Sequence, residues 1–274
     1  MKGLLPGLAA PVTLAIAFTT ATASAAVFDC IINPAVVIKL GSPVAGLIDR
    51  VFVEPGSLVR TGDRVATLRS EVERITVMLI EERARSTAEI EAQKSRLKLS
   101  ESRLNRTEQL VRRKISSREA LEMAQAESEV IRGELAIAEM RQRVNTLELQ
   151  RAKEQLAQRT IYSPVDGVVV ERHLFSGEFL HQEAYVVTIA QIDPLVVEVF
   201  LPVRLYNDVL PGMTVLVRPK EPVNGVYEGR VTVADRVFDA ASSTFGIRIH
   251  LDNPNLAIPA GHRCEVEIEK AVSK

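Results

Sequence analysis

The period of the apolar positions changes twice along the chain. From Ile31 to Leu68 apolar residues come in short runs, among them Val36-Val37-Ile38, Leu47-Ile48, Val51-Phe52-Val53 and Val65-Ala66-Thr67-Leu68, cut by Gly46, Gly56 and Gly62. Runs of this length between glycines predict short strands joined by tight turns. Glu54-Pro55-Gly56-Ser57 carries proline then glycine, the order a type II turn requires. From Glu71 to Arg159 the pattern becomes helical. This stretch is dense in Lys, Arg and Glu, has no aspartate or proline, and contains Gly133 as its one glycine. Ile90, Leu97, Leu104 and Val111 recur at heptad spacing, with Gln93, Ser100 and Thr107 where a second apolar row would lie. Downstream, Leu121, Leu135, Leu149 and Leu156 share one heptad position that Ser128 and Gln142 interrupt, flanked by Ala124, Ile131 and Ala138. The reading is a coiled coil with a partly polar seam. From Asp193 onward short apolar runs return, at 195–201, 215–217, 229–233, 246–251 and 265–268, separated by Pro211-Gly212, Asn224-Gly225 and Pro259-Ala260-Gly261. Antiparallel strands at this spacing predict a small barrel.

The first β region repeats. Ser42-Pro43-Val44-Ala45-Gly46 returns as Ser163-Pro164-Val165-Asp166-Gly167, and the two stretches run in step, Gly56 with Gly177, Val65 with Val186, Thr67 with Thr188, at a constant offset of 121. Two halves of one β module are therefore separated by the helical segment. A helical run that must return to its own second half has to turn. Arg112-Arg113-Lys114 place cations at a helix C-terminus, and Ser116-Ser117-Arg118-Glu119 reads as a capping box with Ser116 as N-cap and Glu119 at N3. A turn near 114–116 leaves two arms of roughly forty residues, about 60 Å each at 1.5 Å per residue, and brings Arg159 back beside Ser70. The expected fold is α+β, mostly β. Its parts are a segment 26–70 (lead-in strand and first half-module), a coiled-coil hairpin 71–159, a second half-module 160–192, and a β-barrel with a C-terminal strand 193–274.

Composition narrows the classes. The chain has 274 residues and a net charge of −1, so no global field draws it to nucleic acid or anionic lipid. Tryptophan is absent and aromatics are few, against a stacking platform for sugars or bases. Residues 1–25 read as a cleaved signal peptide, with Lys2, an apolar stretch from Leu4 to Phe18 and Ala23-Ser24-Ala25 before the cut. The mature chain is then soluble and outside the cytoplasm. Cys30 has a poor lipobox before it. In an oxidising compartment Cys30 and Cys264 pair most simply with each other, which requires the mature N-terminus beside the last strand; two free buried thiols are the other reading.

The split module resembles a lipoyl, or biotinyl-carrier, domain cut at its hairpin tip. With the inserted α-hairpin and the following barrel, residues from about 30 to 270 resemble periplasmic adaptor subunits, the HlyD-like and RND-type membrane fusion proteins of tripartite efflux systems. Adaptors carry an Arg, a Leu four residues on and a Ser seven beyond that; here these are Arg106, Leu110 and Ser117. Pro164-Val165-Asp166-Gly167 and Asp252-Asn253-Pro254 with Pro259-Ala260-Gly261 also look like family sequence. The resemblance implies a non-enzymatic adaptor in the periplasm, joining an inner-membrane transporter, RND-type before ABC-type, to an outer-membrane channel docked at Arg106, Leu110 and Ser117. It implies self-association into a ring of six, with no nucleic acid and no cofactor. Against that pattern, the short lead-in and the few residues after the last strand lead us to expect no counterpart of the family's fourth, membrane-proximal domain.

Other chemistry is weakly supported. A lipoyl or biotinyl carrier module of an enzyme needs a modifiable lysine at a hairpin tip that the coiled coil here replaces. A coiled-coil assembly protein without a transport role is a further reading. His173, His181, His250 and His262 have no partners at metal-ligand spacing, and no nucleophile elbow, zincin motif or phosphate loop is present.

Overall fold

A computed structural model describes residues 26–268; the predicted signal peptide lies outside them. The strands are β1 (Ala26–Gly41), β2 (Gly46–Val51), β3 (Leu58–Val59), β4 (Arg64–Leu68), β5 (Thr160–Tyr162), β6 (Gly167–Arg172), β7 (Phe179–Leu180), β8 (Tyr185–Pro202), β9 (Thr214–Pro219), β10 (Tyr227–Ala234), β11 (Thr244–Leu251) and β12 (His262–Ile268). Between β4 and β5 run helices α1 (Glu71–Arg85), α2 (Ala88–Arg112) and α3 (Arg118–Ala157). The chain divides into two units: residues 36–191 form one, and 192–268 with 26–35 form the other. Among the described residues no helix is long and apolar enough to cross a membrane.

In the first unit the repeat becomes an interlock. The halves exchange their short strands: Gly46 and Leu47 of β2 pair with Leu180 and Phe179 of β7, while Gly167 and Val168 of β6 pair with Val59 and Leu58 of β3. Each contact has its twin 121 residues away. Ile48 N–H donates to Glu178 C=O as Val169 N–H donates to Ser57 C=O, and Gly56 N–H donates to Val169 C=O as Gly177 N–H donates to Ile48 C=O. The register irregularity repeats too, between Ile48 and Arg50 on β2 and between Val169 and Glu171 on β6. Gly56 and Gly177 hold φ of 87° and 90°, the left-handed region that a Cβ disfavours. The shared core is Ile48, Val65, Leu68, Ile161, Val169, Leu180, Val186 and Ile189, drawn from both halves. Neither half can bury its apolar face without the other.

The twin glycines Gly46 and Gly167 differ in what a side chain would meet. A Cβ on Gly167 would lie 2.4 Å from the Ala190 carbonyl oxygen, whereas one on Gly46 would meet the tip of the Arg159 guanidinium at 2.7 Å. Backbone cannot swing aside and a guanidinium can. Gly167→Ala should therefore cost about 3 kcal/mol, the upper end of overpacking penalties, and Gly46→Ala about 1 kcal/mol, the value of a displaced hydrogen bond. Thermal unfolding of the two variants side by side checks the order; equal losses would contradict it.

A second tie between halves is a pair of charge-assisted hydrogen bonds. Asp166 Oδ1 accepts from Thr61 N–H at 2.6 Å and from Thr61 Oγ1–H at 2.9 Å. These bonds, with Arg60 nearby, hold its carboxyl below the ordinary value of 3.8. Asp29, bonded by Lys220 Nζ at 2.8 Å, is lowered likewise. A depressed folded-state pKa gives stability that is present above the unfolded value and is lost as pH falls through the folded one. The melting temperature should therefore drop on acidification below about pH 4, and Asp166→Asn should flatten that slope. A slope unchanged by Asp166→Asn would remove Asp166 from the account.

The second unit is a closed set of six strands, in the order β1-β12-β9-β10-β11-β8 with β1 also paired to β8. Inward positions alternate along each strand: Leu195, Val197, Val199 and Leu201 on β8, and Phe245, Ile247, Ile249 and Leu251 on β11, are all buried. Cys30 and Cys264 are register partners on β1 and β12 within this core and are paired as a disulfide, their Cα atoms 4.8 Å apart.

Candidate functional site: the hairpin and its tip

α1 and α2 both pack along α3, so the helical segment doubles back. The rows expected to face inward do so. Ile90, Leu97, Leu104 and Val111 are half-buried, as are Leu121, Leu135, Leu149 and Leu156, and the polar row is inside as well. Ser100 and Ser128 are buried on the seam, where small side chains let the helices approach. Ion pairs flank it: Arg103–Glu127, Arg132–Glu101 and Arg141–Glu89. Each is exposed and contributes little singly. At the root, Arg159 donates to Glu73 Oε1 at 2.6 Å and to Ala45 C=O at 3.0 Å, and Leu68 N–H donates to Arg159 C=O. The returning strand is thereby fixed to the outgoing helix.

Two details differ from the sequence reading. The first arm is not one helix of forty residues. It breaks at Ser86, where ψ is 115°, and restarts after Thr87. The break resets the heptad phase. Val77 and Ala84 are seven apart and point inward, which would bring Glu91 next into the seam; after the interruption Ile90 occupies it instead. Thr87 Oγ1 donates to Glu91 Oε1, and the Ala84 carbonyl near the helix end accepts from Gln142 Nε2 across the seam. The second difference is the cap. The N-cap of α3 is Ser117, not Ser116: Ser117 is extended (φ −83°, ψ 159°) and its Oγ accepts from Ala120 N–H at 3.1 Å. Glu119 then stands at N2, so no capping box forms. The loop before it explains the shift. Ile115 N–H donates to Leu110 C=O and Lys114 N–H to Val111 C=O, with Lys114 at φ 58°, which is a Schellman motif with lysine where glycine is usual. That motif carries the chain through Ile115 and Ser116 before a new helix can start.

The tip is thus rigidly bonded but open. Arg106 and Leu110 lie one turn apart on the last two turns of α2, off the seam row of Leu104, Thr107 and Val111, and both are exposed. Ser117 is exposed at the start of α3, and its own O–H remains free to donate because the cap uses only its oxygen. Arg106 has no carboxylate within ion-pair distance among the described residues. No hydrogen bond joins the three to one another; they share an end of the hairpin, not a cluster. The tip holds one residue that the periodicity passed over. Ile115 is 70 % exposed at the turn itself. An isolated apolar residue between Lys114 and Ser116 is the signal that could have found it.

The histidines form no site. His173 Nε2 bonds Thr188 Oγ1 at 2.9 Å and its ring meets Tyr185 edge-on, His181 meets Phe179, and His262 bonds the Lys220 carbonyl. Among the described residues no group of three potential metal ligands converges.

A β module completed by two interlocked halves around a helical hairpin, in a chain that also forms a six-stranded barrel unit, is the architecture of the membrane fusion proteins. Residues 36–191 match the model of the CzcB-like barrel-sandwich hybrid domain, and the chain belongs to that family. Its fold is similar to the crystal structure of MacA from Actinobacillus actinomycetemcomitans, with a TM-score of 0.77 at 20 % identity over 91 % of this chain and 79 % of that one. It is similar also to the membrane fusion protein Spr0693 from Streptococcus pneumoniae R6, at 0.55 and 16 % over 90 % of this chain and all of that one. A MacA–MexA chimera containing the Pseudomonas aeruginosa MexA α-hairpin domain gives 0.54 and 17 % over 91 % and 82 %. No curated protein matches the chain.

Proposed function

We propose that the chain is a periplasmic adaptor that joins an inner-membrane efflux transporter, RND-type, to an outer-membrane channel, and that it acts by assembly and not by catalysis. The observation that carries this is the tip: a bonded turn that holds Arg106, Leu110 and the free hydroxyl of Ser117 outward at the end of a hairpin anchored to a rigid module. A guanidinium fork suits carbonyls or carboxylates at the ends of the channel's helices. Leu110, with Ile115 beside the turn, supplies the apolar anchor. Transport energy comes from the pump; the adaptor supplies a conduit. Self-association, with a ring of six as the expected form, is supported by a second heptad row on α3. Met123, Val130, Ile137 and Val144 stand seven apart on its outer face and are exposed. An apolar row of that period, turned away from α2, suits another helix alongside.

Photo-crosslinking tests the bridge. A photoreactive residue in place of Ile115 should link the exported protein to an outer-membrane channel identified by mass spectrometry, and one in place of Lys153 at the hairpin root should not. Channel adducts from the root alone, or from neither position, would overturn the reading.

A further inference from the structure

Where α1 leaves β4 and α3 returns to β5, the first unit has a cleft of about 510 Å³, within the ~300–1,000 Å³ of small-molecule sites. Three guanidiniums line it, Arg50 from β2, Arg64 from β4 and Arg74 from α1, against a single carboxylate, Asp49. They are positioned. Arg64 lies 4.4 Å above the Phe52 ring and Arg50 5.9 Å from it, while Arg74 Nε donates to Ser70 Oγ at 3.1 Å. None of the three has a carboxylate within ion-pair distance among the described residues, although Arg159 at the same root is paired to Glu73. Stacking on an aromatic face holds a guanidinium in place while leaving its donors free. Leu68, Leu156 and Ala157 give the cleft an apolar side.

The internal repeat is a control for what the fold itself requires. Arg50 pairs with Thr67, and its twin Glu171 pairs with Thr188. Phe52 corresponds to His173 and Arg64 to Tyr185 at the same offset. The second half makes the same strand pairing with an acid, an imidazole and a phenol. The cationic, ring-stacked set is thus not a demand of the β module.

From this we infer that the cleft at the hairpin root binds a small organic anion, a carboxylate or phosphate head group with an apolar body, the head held by Arg50, Arg64 and Arg74 and the body against Phe52, Leu156 and Ala157. The inference does not depend on the tip docking a channel. Three exposed guanidiniums around one carboxylate leave a local excess of positive charge and of N–H donors that an anion can engage in place of water, and a bidentate fork recognises either head group. The mixed lining separates such a ligand from an inorganic ion.

Titration calorimetry on the mature protein uses octanoate and octyl phosphate as probes, with octyl glucoside as the uncharged control. One site per chain is expected for the anionic probes, with the tighter of the two reporting the head group. The triple replacement Arg50→Glu, Phe52→His, Arg64→Tyr installs what the twin half already carries, so it should fold with little change in melting temperature and weaken binding at least about tenfold. Arg64→Gln alone should weaken it several-fold and serves if the triple variant unfolds. Arg172→Gln, on the twin side, should leave it unchanged. Octyl glucoside binding as tightly, affinity surviving Arg64→Gln, or no heat from either anion at millimolar concentration overturns the proposal.

Discussion

Replacing both cysteines, Cys30→Ala with Cys264→Ala, lowers the stability of the barrel unit by about 5 kcal/mol, the scale set by loop closure in the unfolded chain. The sequence separation is 234, so the bridge excludes from the unfolded ensemble nearly every arrangement in which the chain ends drift apart. Little of the loss comes from contacts. Cys264 is fully buried and Cys30 nearly so, and truncation to alanine at two small residues opens only a small cavity beside Val217 and Val266. The strands would still pair in register from Ala26↔Ile268 to Ile32↔His262. The variant should therefore reach the same native fold with a lower unfolding midpoint. Hydrogen exchange should rise first in β1 and β12, the strands that the bridge joins. Non-reducing peptide mapping of the exported protein comes first, because the effect requires the linked peptide. Coincident midpoints for the variant and the oxidised parent would remove the bridge as a stabilising element.

What could be read from the sequence, and what could not, follows from where each signal resides. The repeat was legible because its constraints are local to each half. A turn that needs glycine at 56 needs it again at 177, and apolar pairs such as Val65 and Val186 face one common core. The inward rows of the hairpin were legible for the same reason, since a seam leaves its period in the chain. The break at Ser86 was hidden. Serine and threonine are common in solvated helices, and the one-residue slip from Glu91 to Ile90 shows only when Val77, Ala84 and Ile90 are placed on one face. The cap moved by one residue because two adjacent serines offer the same hydroxyl. Which of them starts the helix is decided by the Schellman bonds of Leu110 and Val111, and these depend on backbone conformation and not on residue type. The outer row of α3 was masked by the inner one, as both have heptad spacing on the same helix. The arginine cleft could not be seen at all: Arg50, Arg64 and Arg74 are scattered in sequence and converge only once β2, β4 and α1 meet at the root.

The tip makes the sharpest functional prediction. Leu110→Glu should abolish export, measured as loss of drug or metal tolerance in a strain that depends on this chain, and should remove crosslinks to the outer-membrane channel. Leu110 lies off the seam row and is 36 % exposed, so its replacement disturbs the packing of α2 on α3 less than a change at Leu104 or Val111 would. Glutamate is a good helix former, and its charge near the C-terminus of α2 costs about 0.3–1 kcal/mol against the helix dipole, too little to unfold a hairpin anchored at Arg159. At a docking surface the same change replaces an apolar anchor by a charge that must be desolvated, a loss of about 2 kcal/mol or more, or at least some thirtyfold in affinity. Ser117 sharpens the test. Ser117→Glu adds a bulky charge but gives up the cap to Ala120, about 1 kcal/mol. Ser117→Asp adds the charge and keeps the cap, because aspartate serves that position as well as serine does. If Ser117→Asp and Leu110→Glu both fail in export while their melting temperatures match the parent's, the loss is one of recognition. If export persists in either, the docking surface lies elsewhere on the hairpin, and the outward row of α3 from Met123 to Val144 becomes the next surface to charge.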